Sequence, residues 1–113
     1  MEEDILVERQ DGVTWLRLNR PERRNAYDGP MAERLIAALR DSYDASVIAI
    51  TGVEDSFCAG GYLKNLASAE EADIRRMFYG SLRLFDEIRR HPRPVIAAVN
   101  GPAVGGGNEL VVA

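Results

Sequence analysis

The sequence predicts an α/β fold in which short strands alternate with amphipathic helices. Residues 4–9 and 13–19 have the pattern of two strands, and Asp11-Gly12 between them is a strong hairpin motif. Residues 47–51 and 95–99 are continuous apolar runs, as expected for strands that are buried on both faces of a sheet. The stretches between these runs have helical periodicity, so we expect helices to connect the strands.

Two helices have clear boundaries in the sequence. Proline at a first helical position predicts a helix over residues 30–40. Ser68 and Glu71 have the spacing of a capping box, and the long helix that they open is expected to end at His91-Pro92. Each helix has apolar residues at helical spacing, which predicts one face packed against a sheet. These residues are Met31, Leu35, Ile36 and Leu39 in the first helix and Ile74, Met77, Phe78, Phe85 and Ile88 in the second.

A third helix is expected to begin at the glycines of residues 105–107, and the chain stops inside it. The apolar residues 110–113 predict that this helix is buried. A strand, a glycine turn and two helical turns do not close a sheet or cover its faces. We therefore expect the chain to be a fragment of a longer protein.

Composition limits the class of protein. A length of 113 residues is enough for one folding unit, and fractions of 46% hydrophobic and 28% charged residues are ordinary for a globular protein. No apolar run reaches the roughly 18 residues that span a bilayer, and the first ten residues do not resemble a targeting peptide, so the simplest location is the cytoplasm. A net charge of −4 argues against non-specific nucleic-acid binding, and the single cysteine, Cys58, cannot form an internal disulfide.

The chemistry is expected in two glycine-containing loops, residues 57–64 and 101–109, each of which follows a strand. Both strand exits would lie at the same edge of a parallel sheet, where glycines let the backbone approach a ligand. Two unpaired amides aimed at one oxygen form an oxyanion hole. One alternative is that the loops are tight turns that bind no ligand. The other is a phosphate-binding loop, although neither a Walker lysine nor a G-x-G-x-x-G pattern is present.

Glu109 is the carboxylate best placed to act beside such a hole. It lies three residues after Gly106, so on a helix it is one turn further along on about the same face. The alternative is an ordinary solvated helix residue. His91 is expected at the surface, Cys58 as a small buried side chain, and Trp15 in strand packing.

Four segments in register resemble the enoyl-CoA hydratase/isomerase (crotonase) superfamily across nearly the whole chain. They are Asn19-Arg20-Pro21 with Asn25-Ala26, residues 56–60, residues 93–101, and Gly105-Gly106-Gly107 with Glu109-Leu110. The resemblance implies a crotonase-like spiral of ββα units, of which residues 1–113 would be the N-terminal part of an acyl-CoA-binding catalytic domain. It also implies a homotrimer or hexamer for the intact protein.

The resemblance implies roles for individual residues. Gly61 and Gly106 match the two residues whose amides hold the thioester oxygen, and Glu109 matches the first of two catalytic glutamates, the second of which would lie beyond Ala113. The coenzyme A site would be lined by Gly61, Tyr62, Leu63 and Lys64, with Arg24, Asn25 and Ala26 near its nucleotide end. Tyr62 departs from the aspartate of many members, and some members that act on aromatic acyl groups carry tyrosine there.

The resemblance therefore predicts an enoyl-CoA hydratase that adds water to a 2-enoyl-CoA thioester. Its expected partner is the acyl-CoA substrate, with coenzyme A as part of the substrate and no metal, redox cofactor, nucleic acid or membrane involved. Other reactions of the superfamily, namely isomerisation, decarboxylation and hydrolysis, share the oxyanion hole, so fold-level resemblance does not choose among them. A CoA-binding fragment without catalysis is a further alternative.

Overall fold

A computed structural model of the chain describes residues 3–62 and 71–113, which form a mixed α/β fold. The strands are β1 (Ile5–Gln10), β2 (Val13–Leu18), β3 (Val47–Gly52) and β4 (Val95–Ala97), and the helices are α1 (Gly29–Arg40), α2 (Glu71–Arg90) and α3 (Gly106–Val112), with a short 3-10 helix at Pro21–Arg23. Within the described residues the strands form one sheet in the order β1-β2-β3-β4. The first pair is antiparallel and the other two are parallel.

The predicted hairpin is confirmed. Gln10 pairs with Val13, and the two turn residues, Asp11 and Gly12, have φ angles of 53° and 82°. A two-residue turn with both φ angles positive matches the right-handed twist of the strands, which is why an Asp-Gly pair favours it.

Helix α1 begins one residue earlier than the sequence predicts. Asp28 caps it, since its carboxylate accepts a hydrogen bond from the Met31 amide at 3.0 Å. The apolar stripe of this helix is buried as expected, and it packs with one face of the sheet in the main core. That core also includes Leu16, Ile48 and Leu84.

Helix α2 covers 20 residues and ends at Arg90, as the His91-Pro92 pair predicts. The expected capping residue Ser68 lies outside the described residues. Leu84, Phe85 and Ile88 are buried near the C-terminal end of the helix, whereas Phe78 on the same apolar stripe is exposed. The N-terminal part of this stripe is therefore not used by the main core. No described helix is both long and apolar enough to cross a membrane.

Two apolar segments are only partly buried, as expected of a chain that does not cover the faces of its sheet. Strand β3 is buried as expected, but β4 is short and only partly covered, with Ile96 53% exposed. Helix α3 buries Gly107 and Leu110, while Val112 is 76% exposed. An apolar run indicates that a segment can be buried, but burial also needs a covering layer, and no described element covers these faces.

Candidate active site

The parallel strands β3 and β4 deliver their two following loops to the same edge of the sheet, as predicted. The side chain of Asn100 joins the loops: its amide oxygen accepts from the Gly52 amide at 3.0 Å, and its NH₂ group donates to the carbonyls of Glu54 and Ser56 at 3.0 and 3.2 Å. One side chain thus satisfies three backbone groups that leave the sheet, which fixes the loops to each other.

Further along, the two loops pair as a short parallel bridge. Cys58 is opposite Ala103, the Phe57 amide donates to the Pro102 carbonyl at 3.1 Å, and the Val104 amide donates to the Cys58 carbonyl at 3.1 Å. This pairing places Gly106 beside Gly60. The two glycine loops therefore form one structure.

Glycine is required where these backbones nearly touch. A Cβ atom on Gly107 would lie 2.0 Å from the Cys58 carbonyl oxygen, and one on Gly101 would lie 2.0 Å from the Asp55 carbonyl oxygen. Both contacts are far inside van der Waals distance and involve backbone atoms. Gly101 and Gly107 are therefore needed because two backbone segments lie in contact at these points. Gly106 differs, since a Cβ atom there would meet the Tyr27 side chain.

In the part of the chain that the structure describes, the amides of Gly61 and Gly106 have no hydrogen-bond partner. Gly61 forms a parallel bridge with Tyr27, in which the Tyr27 amide donates to the Gly60 carbonyl at 2.8 Å and the Tyr62 amide donates to the Tyr27 carbonyl at 3.0 Å. This pairing uses the Gly60 carbonyl and the Tyr62 amide. The Gly61 amide has no hydrogen-bond partner among the described residues. Gly106 is the first residue of α3, so its amide has no partner inside the helix.

Gly61, Gly106 and Glu109 line one cavity of about 320 Å³. These three residues are the catalytic residues predicted from the sequence, and the structure brings them together. Glu109 is exposed, so its carboxylate is open to water at the cavity rim. The opposite wall comes from one face of α2 and is mostly apolar, consisting of Met77, Phe78, Ser81, Leu82 and Phe85.

Tyr27 is a cavity residue that the sequence analysis missed. Its side chain is buried, and its hydroxyl lies 2.8 Å from the Ser81 hydroxyl on α2. Burial raises the pKa of Tyr27, and the nearby Glu109 carboxylate adds to that rise. Its position directly after the Asn25-Ala26 motif was the available indication, but only the fold shows that it reaches the glycines.

Arg24, Asn25 and Ala26 are not among the residues that line this cavity. The Asn25 side chain is fully buried, accepts from the Arg20 amide at 2.8 Å, and donates to the carbonyls of Val53 and Ser56 at 3.0 and 2.8 Å. Its side chain therefore holds the loop together, and Ala26 is buried as well. Arg24 is exposed and borders a separate depression of about 450 Å³.

Tyr62 is partly exposed, and the Arg23 guanidinium lies 4.3 Å from the centre of its ring, a cation–π contact. Leu63 and Lys64, the other two residues predicted to bind coenzyme A, lie outside the described residues.

The remaining sequence candidates have structural roles. Cys58 is buried as expected, and burial raises its pKa to about 11, which leaves it a neutral thiol at physiological pH. One ring nitrogen of His91 lies 2.7 Å from the Leu39 carbonyl oxygen, so this side chain joins the end of α2 to α1. Within residues 3–62 and 71–113, no group of three or more His, Cys, Asp or Glu side chains is arranged to hold a metal ion.

Known proteins with similar sequences are named for reactions of enoyl-CoA. A probable enoyl-CoA hydratase from Mycobacterium bovis is 36% identical over 110 residues, which covers 96% of this chain and 43% of that protein. The peroxisomal enoyl-CoA delta isomerase 3 of Mus musculus is 38% identical over 108 residues, with coverage of 90% and 34%. The chain thus spans less than half the length of these curated relatives.

Solved structures share the fold. A crystal structure of an enoyl-CoA hydratase from Bacillus anthracis has a TM-score of 0.91 and 31% identity over 97% of this chain and 45% of that chain. The human enoyl-CoA hydratase domain-containing protein 3 has a TM-score of 0.87 at 31% identity, over 96% and 44% of the two chains. The predicted crotonase-like α/β fold is therefore confirmed, as a part of the fold in those structures. The sequence profile of the enoyl-CoA hydratase/isomerase family matches residues 8–113, and the chain belongs to that family.

Proposed function

We propose that the protein is an enoyl-CoA hydratase that adds water to a 2-enoyl-CoA thioester. The observation that supports this proposal most directly is the cavity that Gly61, Gly106 and Glu109 share. It combines two backbone donors, unpaired among the described residues, which can polarise the thioester, with one water-accessible carboxylate, which can activate water. The names of the relatives supply the substrate class, an enoyl-CoA.

In this proposal the amides of Gly61 and Gly106 donate hydrogen bonds to the thioester oxygen. Addition of a nucleophile to the carbon–carbon double bond moves negative charge onto that oxygen, so the amides bind the transition state more strongly than the substrate. One such donor typically contributes about 3 kcal/mol to transition-state stabilisation. The apolar wall of α2 would receive the acyl chain.

Glu109 takes a proton from the water that attacks the β-carbon. Its exposed position at the rim lets water reach the carboxylate, and the α3 helix places it one turn beyond the Gly106 amide. An acid or solvent protonates the α-carbon, and Glu109 then releases the proton that it took, so the net change is the addition of one water to the double bond.

Isomerisation of the double bond is the second candidate, because a relative of similar identity is named a delta isomerase. It uses the same enolate and the same two amides, while the base moves a proton from one carbon of the acyl chain to another. Mass spectrometry separates the two reactions, since hydration adds one water to the thioester and isomerisation leaves its mass unchanged.

The substitution Glu109→Gln in the full-length protein tests the role of Glu109. Loss of the base should lower kcat for hydration of a short 2-enoyl-CoA by about 10²- to 10⁴-fold and leave the affinity for an unreactive acyl-CoA nearly unchanged. Glu33→Gln, at an exposed glutamate of α1 away from the cavity, is the matched control. Equal turnover of Glu109→Gln and the control would rule out Glu109 as the base.

The amide contribution is tested by a pair of substitutions at Gly61. Proline removes the amide proton, while alanine retains it, and in both variants the added Cβ contacts the flexible end of Met77 at about 3.2 Å. We expect Gly61→Pro to lose about 10²- to 10³-fold in kcat and Gly61→Ala to stay near the wild-type value. Similar kcat values for the two variants would show that this amide does not stabilise the transition state.

A further inference from the structure

Tyr27 contacts all three segments that form the cavity. Its backbone pairs with the loop of Gly61, its ring and hydroxyl lie against Gly106, and its hydroxyl bonds to Ser81 on α2. Among the residues that line the cavity, it therefore occupies the point where the two glycine loops and the long helix meet.

The backbone of Tyr27 sets the direction of the Gly61 amide. Hydrogen bonds of 2.8 and 3.0 Å hold the Gly60 carbonyl and the Tyr62 amide against Tyr27. Because the C=O and N–H of one trans peptide group point in opposite directions, the Gly61 amide, which shares its peptide group with the Gly60 carbonyl, is turned away from Tyr27. Its direction thus depends on where Tyr27 lies.

The side chain of Tyr27 sets the position of Gly106. A Cβ atom built on Gly106 would lie 2.7 Å from the phenolic oxygen and 3.3 Å from the adjacent ring carbon. The phenol therefore packs directly on the first residue of α3. Loss of the hydroxyl would leave a gap one oxygen atom wide at this contact, into which the start of α3 could move.

The Tyr27–Ser81 bond fixes the phenol in turn. The Ser81 hydroxyl has one proton and donates it to the Met77 carbonyl at 3.1 Å, so the phenol supplies the proton of the 2.8 Å bond. Burial of Tyr27 keeps that phenol protonated at neutral pH, because it raises the pKa. The hydroxyl thus has a fixed partner on α2 and a fixed contact on α3.

We propose that Tyr27 is a positioning residue that sets the relative placement of the two amides, that of Gly61 through its backbone and that of Gly106 through the phenol that Ser81 holds. The inference rests on the proposed function, since it gives the arrangement of the two amides a catalytic use. It adds residues outside both glycine loops to the active site, and Ser81 acts through Tyr27.

The test uses Tyr27→Phe, Ser81→Ala and the double variant. Tyr79→Phe is the control, because it makes the same chemical change at an exposed residue of α2 that does not line the cavity. The first measurement is the NMR amide resonances of Gly61 and Gly106 in the unliganded protein. The second is kcat and KM for hydration of a short 2-enoyl-CoA.

We expect the Gly106 amide resonance to shift in Tyr27→Phe and in Ser81→Ala but not in the control, whereas the Gly61 amide, which the Tyr27 backbone holds, should shift less. A displacement of 1 Å can cost about 10²-fold in rate, so a smaller one should lower kcat about tenfold, with KM nearly unchanged. The double variant should resemble the single variants, since each breaks the same bond. Either single variant decides the question if the other fails to fold.

Unshifted amide resonances, or shifted resonances with wild-type kcat, would overturn the positioning role. Multiplicative losses in the double variant would also overturn it, because they would mean that the two hydroxyls act separately. A wild-type protein that does not hydrate any 2-enoyl-CoA would instead refute the proposed function. In that case the amide resonances alone decide whether Tyr27 places the two amides.

Discussion

Replacement of Gly107 by alanine should destabilise the protein, although helix propensity predicts the opposite. Gly107 lies in the first turn of α3, and alanine is favoured over glycine in helices by about 1 kcal/mol. In the folded chain, however, the new Cβ would lie 2.0 Å from the Cys58 carbonyl oxygen and 3.1 Å from the Cys58 Cβ. Real Cβ contacts exceed 3.0 Å, so the backbones must separate by about 1 Å.

Neither the backbone of α3 nor that of Cys58 can move in this way without weakening hydrogen bonds or packing. The Cys58 carbonyl accepts the Val104 amide at 3.1 Å, and Cys58 itself is fully buried in the bridge to Ala103. Overpacking of this kind costs about 1–3 kcal/mol, and a weakened backbone hydrogen bond adds about 1 kcal/mol. After the gain in helix propensity, we expect the free energy of unfolding to fall by about 1–3 kcal/mol.

The assay is urea unfolding followed by circular dichroism, with Gly80→Ala as the matched control. Gly80 is a buried glycine inside α2, where the added Cβ would meet only the Ala32 Cβ at an ordinary 3.5 Å. This control should therefore gain about 0.5–1 kcal/mol in stability. If Gly107→Ala proved as stable as the wild type, α3 would be free to move away from the Cys58 strand, and the argument that close approach requires glycine at this position would fail.

Two further predictions concern buried polar groups. Asn25→Ala should lower the free energy of unfolding by about 3 kcal/mol, since three hydrogen bonds of about 1 kcal/mol each are lost, and a loss below 1 kcal/mol in urea unfolding would contradict this account of the loop. For Cys58, the folded pKa of about 11 lies above the ordinary value of 9.0, so stability should be retained below pH 9 and decrease as pH rises towards 11. At about 1.4 kcal/mol per pKa unit, the thiol should account for a decrease of roughly 3 kcal/mol in the free energy of unfolding. In Cys58→Ala the free energy of unfolding should therefore depend less on pH over that range. Parallel pH profiles for the wild type and Cys58→Ala would disprove this contribution.

Local patterns were enough to predict most of the secondary structure. The Asp11-Gly12 pair specifies a tight turn through its backbone preferences alone, and the apolar stripe of α1 specifies a helix with one buried face. Gly61, Gly106 and Glu109 could be grouped because parallel strands end at the same edge of a sheet, and the structure places all three on one cavity. In each case, interactions between residues close in sequence, or a general rule of sheet geometry, carry the information.

The sequence alone determined the order of strands and helices, the turn at Asp11-Gly12 and the two glycine loops that hold the candidate site. Only the tertiary structure showed that Asn25 is a buried loop residue and that Tyr27 joins both glycine loops to α2. The difference has a physical reason. Turn and helix preferences depend on neighbouring residues, whereas burial and long-range hydrogen bonds depend on which distant segments come together, and a pattern along one chain segment does not contain that information.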